Sequence, residues 1–250
     1  MGKLIKKAVL ILVAVFLSAS VSSAKQADTK ELSKNIKIGD TVYFGRYEQD
    51  GNKSNGKERI EWQVLDKEGN KALLISKKVL DVKAYNKERV DITWEDSTIR
   101  KWLNKIFINA AFNGKDKNKI IMTTVENKDN KKYGTKGGNT TKDKVFLLSI
   151  EEEERCYKKY EEIANITEYA LGEVKRIRLE KGYVKSEQEF NAWWEEHQSI
   201  YGWQWWYWLR SPGNSQSSAA YVGDLGYISE YGFNVNYGRN GVRPALWMVL

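Results

Sequence analysis

The chain has 250 residues, with 41 Lys and Arg against 33 Asp and Glu, and a formal charge of +8. It contains one His and one Cys, which excludes an intrachain disulfide, a histidine-based zinc site and a thiolate cluster. At this length a sizeable core can be buried without staples. The charge is uneven. Residues 186–250 hold six acids and three arginines, and no Lys follows Lys185. A basic first part suits an anionic wall polymer or headgroup surface, or is a solvated face of mixed Lys and Glu. No recognisable nucleic-acid motif is present, so nucleic acid is not expected as a partner.

Lys3, Lys6 and Lys7 precede an apolar run over residues 8–17 and the small residues Ser22-Ser23-Ala24. That pattern predicts a secretory signal peptide over 1–24, with an uncleaved anchor as the alternative. A polar, flexible leader over 25–35 and one domain over 36–250 follow. No later apolar run reaches the roughly 20 residues of a membrane helix. The expected location is secreted or cell-surface associated, with no stable transmembrane anchor.

A short strand is expected over 41–45, then a loop over 49–57. Ile60, Trp62 and Val64 alternate with Glu61 and Gln63, which predicts a half-buried strand. A turn over 66–70 returns the chain into a second strand over 72–76. Thr93 can cap a helix opened by Trp94-Glu95-Asp96. Ile99, Trp102, Leu103, Ile106 and Phe107 then form one apolar stripe. A strand over 120–125 and an exposed polar loop over 126–143 come next. Residues 145–148 read as a buried strand. Ser149 and Glu152 spell a capping box for a helix over 150–161. Residues 167–181 are ambiguous, with Gly172 as a break. Ser186 and Glu189 spell a second capping box, opening a short helix with Phe190, Trp193, Trp194 and His197 on one face. Strands are expected over 219–222, 227–229, 233–237 and 242–248.

Catalytic chemistry is sparse. Cys156 and His197 could pair only if their helices touch. There is no Gly-x-Ser-x-Gly elbow, and no loop with calcium-ligand spacing. Asp224 and Glu230 offer an acid and a base of the glycosidase kind, or are solvated turn acids. The expectation is no catalytic residue, no metal and no cofactor. Arg210 and Arg243 sit within apolar surroundings, where a guanidinium must be hydrogen-bonded to be tolerated. Either they lock the last strands to the core or they recognise an anion. With Trp62, Trp94, Trp102 and Trp208 they form the expected structural core signature.

The tail opens with Trp203-Gln204-Trp205-Trp206-Tyr207-Trp208-Leu209-Arg210-Ser211-Pro212 and closes with Gly241-Val242-Arg243-Pro244-Ala245-Leu246. Between them Gly, Asn, Ser and Tyr dominate. Tyr supplies rigid contact area, while Ser, Asn and Gly supply adaptable hydrogen bonds, as in a paratope. The same composition serves tight hairpins that need Gly and Asn in their turns.

Taken with Gly39-Asp40, Phe44-Gly45, residues 61–65, residues 94–104 and residues 145–149, these motifs resemble a bacterial domain family of unknown function, common in secreted and surface proteins. The resemblance covers residues 36–250. The order of the tail is also similar to the C-type lectin fold, in the branch of the formylglycine-generating enzymes and the retroelement variable proteins. The implied architecture is a single α+β domain of short antiparallel strands, two or three helices and a turn-rich C-terminal region. The cysteine pair of the formylglycine-generating enzymes is missing, which argues against their oxidase activity. By analogy with the variable proteins, Asn214, Ser215, Tyr221, Tyr227, Tyr231, Asn234, Asn236 and Tyr237 would form a ligand surface for a glycan, a cell-wall component or a partner protein. A carboxylate-using hydrolase of wall polymers and a structural surface protein are the alternatives. Fold analogy alone does not decide among them.

Overall fold

A computed structural model describes residues 35–157 and 163–250. The expected signal peptide, most of the leader and the end of the expected 150–161 helix lie outside the described residues. The architecture is mixed α+β. Its strands are β1 (Thr41–Tyr47), β2 (Glu58–Glu68), β3 (Lys71–Ser76), β4 (Asp81–Val82), β5 (Thr123–Val125) and β6 (Thr141–Asp143). The tail adds β7 (Tyr207–Pro212), β8 (Ser218–Val222), β9 (Ile228–Asn234), β10 (Gly241–Val242) and β11 (Ala245–Val249). They form sheets of order β1-β2-β3-β11, β4-β10-β7-β8-β9 and β5-β6. All pairings between these strands are antiparallel except β10 with β7.

The first sheet follows from alternation. Ile60, Trp62 and Val64 are fully buried while Glu61 and Gln63 are half-buried. The Trp62 indole N–H donates to the Phe44 carbonyl at 2.6 Å, which satisfies its one polar atom inside the core. β3 is buried on both faces from Ala72 onward, and β2 and β11 pair with both of its edges.

The closing motif has a topological role. β10 belongs to the second sheet and β11 to the first, so the chain crosses between sheets at Arg243-Pro244. Proline has no N–H to give a ladder, and the expected single strand over 242–248 is accordingly split in two. Arg243 Nε donates to the Ser76 carbonyl at 2.8 Å, and the Ser76 amide donates to the Pro244 carbonyl at 3.0 Å. Gly241 is required by space. A Cβ there would meet the Trp206 carbonyl oxygen at 2.6 Å and Val79 Cγ1 at 2.5 Å.

The helices are α1 (Thr98–Trp102), a π-helical turn (Leu103–Phe107), α2 (Ile108–Ala111), α3 (Gly114–Lys119), α4 (Ile150–Cys156), α5 (Glu168–Glu180) and α6 (Glu187–Tyr201). The first helix starts later than the sequence predicts. Ser97, not Thr93, caps it, accepting from the Arg100 amide. Ile106 leaves the apolar stripe and faces solvent, at 54 % exposure. The π-helical turn is the reason, since i→i+5 bonding changes the rotation per residue. The Ser149–Glu152 capping box is formed in full. Ser186 caps α6, but the Glu189 carboxylate reaches the amide of Lys185 instead of Ser186. α6 is 15 residues long and not short.

Gly172 does not break the chain. It lies inside α5, and a Cβ added there would meet nothing within 4 Å. Gly172→Ala should therefore raise stability by about 0.5–1 kcal/mol, by reducing the entropy of the unfolded chain. A urea titration that showed a loss would mean the helix is strained at that residue.

Residues 145–148 are buried as expected, yet they form no strand. Phe146 makes a single bridge to Ala245. The expected 120–125 strand shrinks to β5. The two strands expected over 227–229 and 233–237 are one strand, β9, which ends in a turn at Val235-Asn236.

Candidate functional site

β7 is the spine of the tail, and all six of its residues are buried. The Trp208 indole N–H donates to the Lys83 carbonyl at 2.8 Å, and the Tyr85 hydroxyl donates to the Arg210 carbonyl at 2.8 Å. Arg210 reaches away from the sheet. Its NH1 donates to the Leu147 carbonyl at 2.8 Å and to the Glu152 carboxylate, and its NH2 to the Glu126 carbonyl at 3.0 Å. Burial alone would push the Glu152 carboxyl up, but the Arg210 charge and hydrogen bond, with Ser149, hold it below the usual range. Arg243 NH1 donates to the Tyr207 hydroxyl at 3.0 Å, and that hydroxyl donates to Glu153 at 2.6 Å. Trp62, Trp94 and Trp208 are buried, whereas Trp102 is half-buried with the Lys83 ammonium 4.5 Å from its ring centre.

The spine holds up an aromatic face. Trp206 and Phe233 stack with ring centres 5.9 Å apart, and Phe233 stacks on Tyr237 at 4.8 Å. Tyr221 packs beside both, 6.2 Å from Trp206 and 5.2 Å from Phe233. All four rings are half-buried, and Phe233, stacked on both sides, offers an edge and not a face. Tyr227 and Tyr231 stand further out, at 42 % and 61 % exposure. Burial and the neighbouring Tyr221 push the Tyr227 hydroxyl up to about 12. Asn214 and Ser215 occupy the turn after β7, and Asn234 and Asn236 are exposed around the end of β9. None of the eight residues singled out in the tail is buried. Asn214 and Ser215 sit with Ser218, the Asn214 amide donates to the Tyr231 carbonyl at 2.8 Å, and Ser218 pairs with Asn234 across the β8–β9 ladder.

Tyr231 is pushed out by a bulge. Ala219 faces Phe233 and Tyr221 faces Ser229, so three residues of β9 oppose Ala220 alone. Gly232 takes the positive φ of 79° that this needs. The bulge is held from the segment expected to be an exposed loop. Asn130 is 2 % exposed, and its amide donates to the carbonyls of Pro212 at 2.9 Å and Glu230 at 3.0 Å. Its oxygen accepts from the Lys132 and Tyr133 amides. Tyr133 then packs edge-on against Tyr231, 6.0 Å away. The far end of the segment is also buried. Asp143 accepts from the Trp94 indole at 3.0 Å and from Arg100 Nε at 2.7 Å. Most of the segment is exposed, as expected, and Asn130, Thr141 and Asp143 are the polar residues in it that are buried. Asn130→Ala should cost about 1–3 kcal/mol by leaving buried carbonyls unpaired. Amide exchange over residues 229–233 should quicken with it; unchanged exchange there would show that the bulge stands without Asn130.

A family model described as Domain of unknown function (DUF6273) matches residues 69–250. The chain belongs to this family. The DUF6273 match begins in the β2–β3 turn and includes the whole aromatic face. No curated protein and no solved structure matches the chain. No helix among the described residues is long and apolar enough to cross a membrane.

The acids of this DUF6273 chain do not assemble as the sequence suggests. Glu230 lines a cavity of 590 Å³ together with Glu126, Glu151, Glu152 and Arg210, but Asp224 does not line it. Asp224 is buried near the β8–β9 turn, at 7 % exposure. Within the cavity Glu151 pairs with Lys128 at 2.7 Å and Lys131 at 2.6 Å, and Glu152 with Arg210. Both carboxyls are held below the ordinary range, Glu151 by these lysines and Glu152 by Arg210. A general acid needs the opposite shift. Burial pushes the Cys156 thiol up, which leaves it a poor nucleophile. His197 packs among Trp193, Trp194, Trp205 and Tyr201, with Nε2 3.2 Å from the Gln204 carbonyl oxygen.

Sequence spacing missed one cluster. Glu48, Asp50 and Glu58 each bring a carboxylate oxygen within 4.8 Å of the other two. Among the described residues this is the group able to hold a cation. Glu58 comes from the far side of the β1–β2 loop, where its oxygen accepts from the Gln49 amide at 2.7 Å. Burial, then Asp50 and Glu58, push the Glu48 carboxyl up.

Proposed function

We propose that this DUF6273 chain is an exported, non-catalytic binding module of C-type-lectin-like architecture, and that its C-terminal face takes a glycan of a wall or surface polymer. The observation that carries the reading is the solvent-facing row Trp206, Phe233 and Tyr237, with Tyr221 beside it. Sugars bury their apolar C–H faces on rings of this kind, and hydroxyls and amides at the margin set orientation. Tyr227, Asn234 and Asn236 offer such groups around the row. Rigidity supports the reading too. Tyr221 and Phe233 are paired within the β8–β9 ladder, the Trp206 carbonyl accepts from the Gly241 amide at 2.8 Å and the Tyr237 amide donates to the Asn234 carbonyl at 2.9 Å, so little entropy is lost when a ligand docks.

The test is binding to a glycan array and to isolated cell walls by the chain and by the triple substitution Tyr227→Ala, Tyr231→Ala and Tyr237→Ala. The expected result is loss of binding in the triple variant with its fold retained by circular dichroism. A folded triple variant that binds as the parent does would remove the proposed surface.

A further inference from the structure

Arg178 on α5 and Arg239 in the turn before β10 line one small cavity of 60 Å³, together with Trp193, Trp206 and Tyr237. The Arg178 guanidinium lies 3.8 Å from the centre of the Trp193 ring. The Arg239 guanidinium lies 4.4 Å from the Tyr183 ring centre and 4.8 Å from that of Tyr237. Among the described residues, no Asp or Glu lines the cavity. Arg178 Nε is buried and has no hydrogen-bond acceptor among them. Burial, and then the charge of Arg239, lower the Arg178 pKa from its ordinary value. Glu189 acts on Arg178 through its charge, but its carboxylate accepts the Lys185 amide at 2.7 Å.

Two cations that repel each other around a cavity without an acid are an incomplete arrangement. A guanidinium presents a planar fork of donors that matches the two oxygens of a carboxylate. The cavity is small, at 60 Å³, so it suits a compact charged substituent and not a whole sugar ring. Trp206 and Tyr237 belong both to this cavity and to the aromatic face. A ligand lying on the face can therefore place a substituent between the arginines.

We propose that the face binds an acidic sugar, with the carboxylate seated between Arg178 and Arg239 and the ring on Trp206 and Tyr237. This rests on the glycan reading of the face. Like-charge repulsion between the arginines is then relieved only in the complex, so the pair selects charged over neutral sugars.

The test is quenching of tryptophan fluorescence in the full chain, titrated with an oligogalacturonate and with the matching neutral oligogalactose. The oligogalacturonate should bind about tenfold tighter, as expected when charge-assisted hydrogen bonds are gained, and the margin should shrink as salt screens the charges. Arg178→Gln and Arg239→Gln should each reduce that preference to near unity. Each should also leave the fold intact by circular dichroism, because the ring stacking lost is weak and one of two repelling charges is gone. Equal binding of both sugars by the parent chain overturns the acidic subsite and leaves the aromatic face standing. A preference that survives both substitutions also overturns it, as does a preference lost only in variants that have lost the fold. Failure of both sugars to bind the parent overturns the glycan reading itself, and the subsite with it.

Discussion

Replacing Arg210 with Met should lower the unfolding free energy by about 3 kcal/mol, the low end for removing one partner of a buried ion pair, because the Glu152 side chain keeps 26 % exposure. Arg210 is 4 % exposed, and its loss strands the Glu152 carboxylate and the carbonyls of Leu147 and Glu126. The methionine keeps most of the side-chain volume, so the effect reports polar pairing and not a cavity. The pH dependence has a defined sign. The Glu152 carboxyl is held below its ordinary 4.5 in the fold. The pair's contribution is therefore complete above that value and is lost as pH falls through the lower folded value. Urea unfolding at neutral pH and below about pH 4 should show the gap between parent and variant narrowing in acid, as Glu152 protonates. A gap that stays the same would mean that packing, not charge, is what Arg210 supplies.

Arg243→Gln is expected to cost about 2–5 kcal/mol, from the buried acceptors it abandons. Its place in the topology makes the effect regional. Arg243 ties the Ser76 carbonyl at the end of β3 to the crossover between the two sheets, and it also donates to Tyr207 on β7. Hydrogen exchange should rise most in β10 and β11, and least in the β1–β2 hairpin, which does not depend on the crossover. A uniform rise across both sheets would indicate that the arginine stabilises the domain globally and does not join its parts.

Much of the frame is legible in the sequence because it obeys local rules. Alternation marks β2, and the Ser149–Glu152 spacing marks the start of α4. The failures share a cause in tertiary structure. Ile106 fits a 3.6-residue stripe, but the π-helical turn rotates it outward. Residues 145–148 have the composition of a strand, yet their neighbours offer one bridge, at Ala245. Gly172 is a helix-breaking residue type, and the packing around α5 overrides it. The polar segment after Glu126 is mostly exposed, as its polarity suggests, and what the sequence hides is its anchor to the tail at Asn130. Asn130 finds its acceptors 82 to 100 residues away in sequence, and no local pattern encodes such a distance.

The candidate face divides in the same way. Its tyrosines and asparagines stand out by composition. Phe233 and Trp206 complete the stacked row, and in the sequence they are only parts of a strand and of a tryptophan cluster. Arg178 comes from α5, the segment whose character the sequence leaves ambiguous. Arg178 and Arg239 meet only by lining the same cavity, which has no trace in spacing.

Hydroxyl-radical footprinting of aromatic side chains, with and without bound glycan, tests the central claim most directly. Protection is predicted at Trp206, Tyr227 and Tyr237, with Tyr43 and Trp203 beside the separate 620 Å³ cavity oxidised at the same rate in both states. Protection at Tyr43 and Trp203 while the tail rings stay reactive would contradict it.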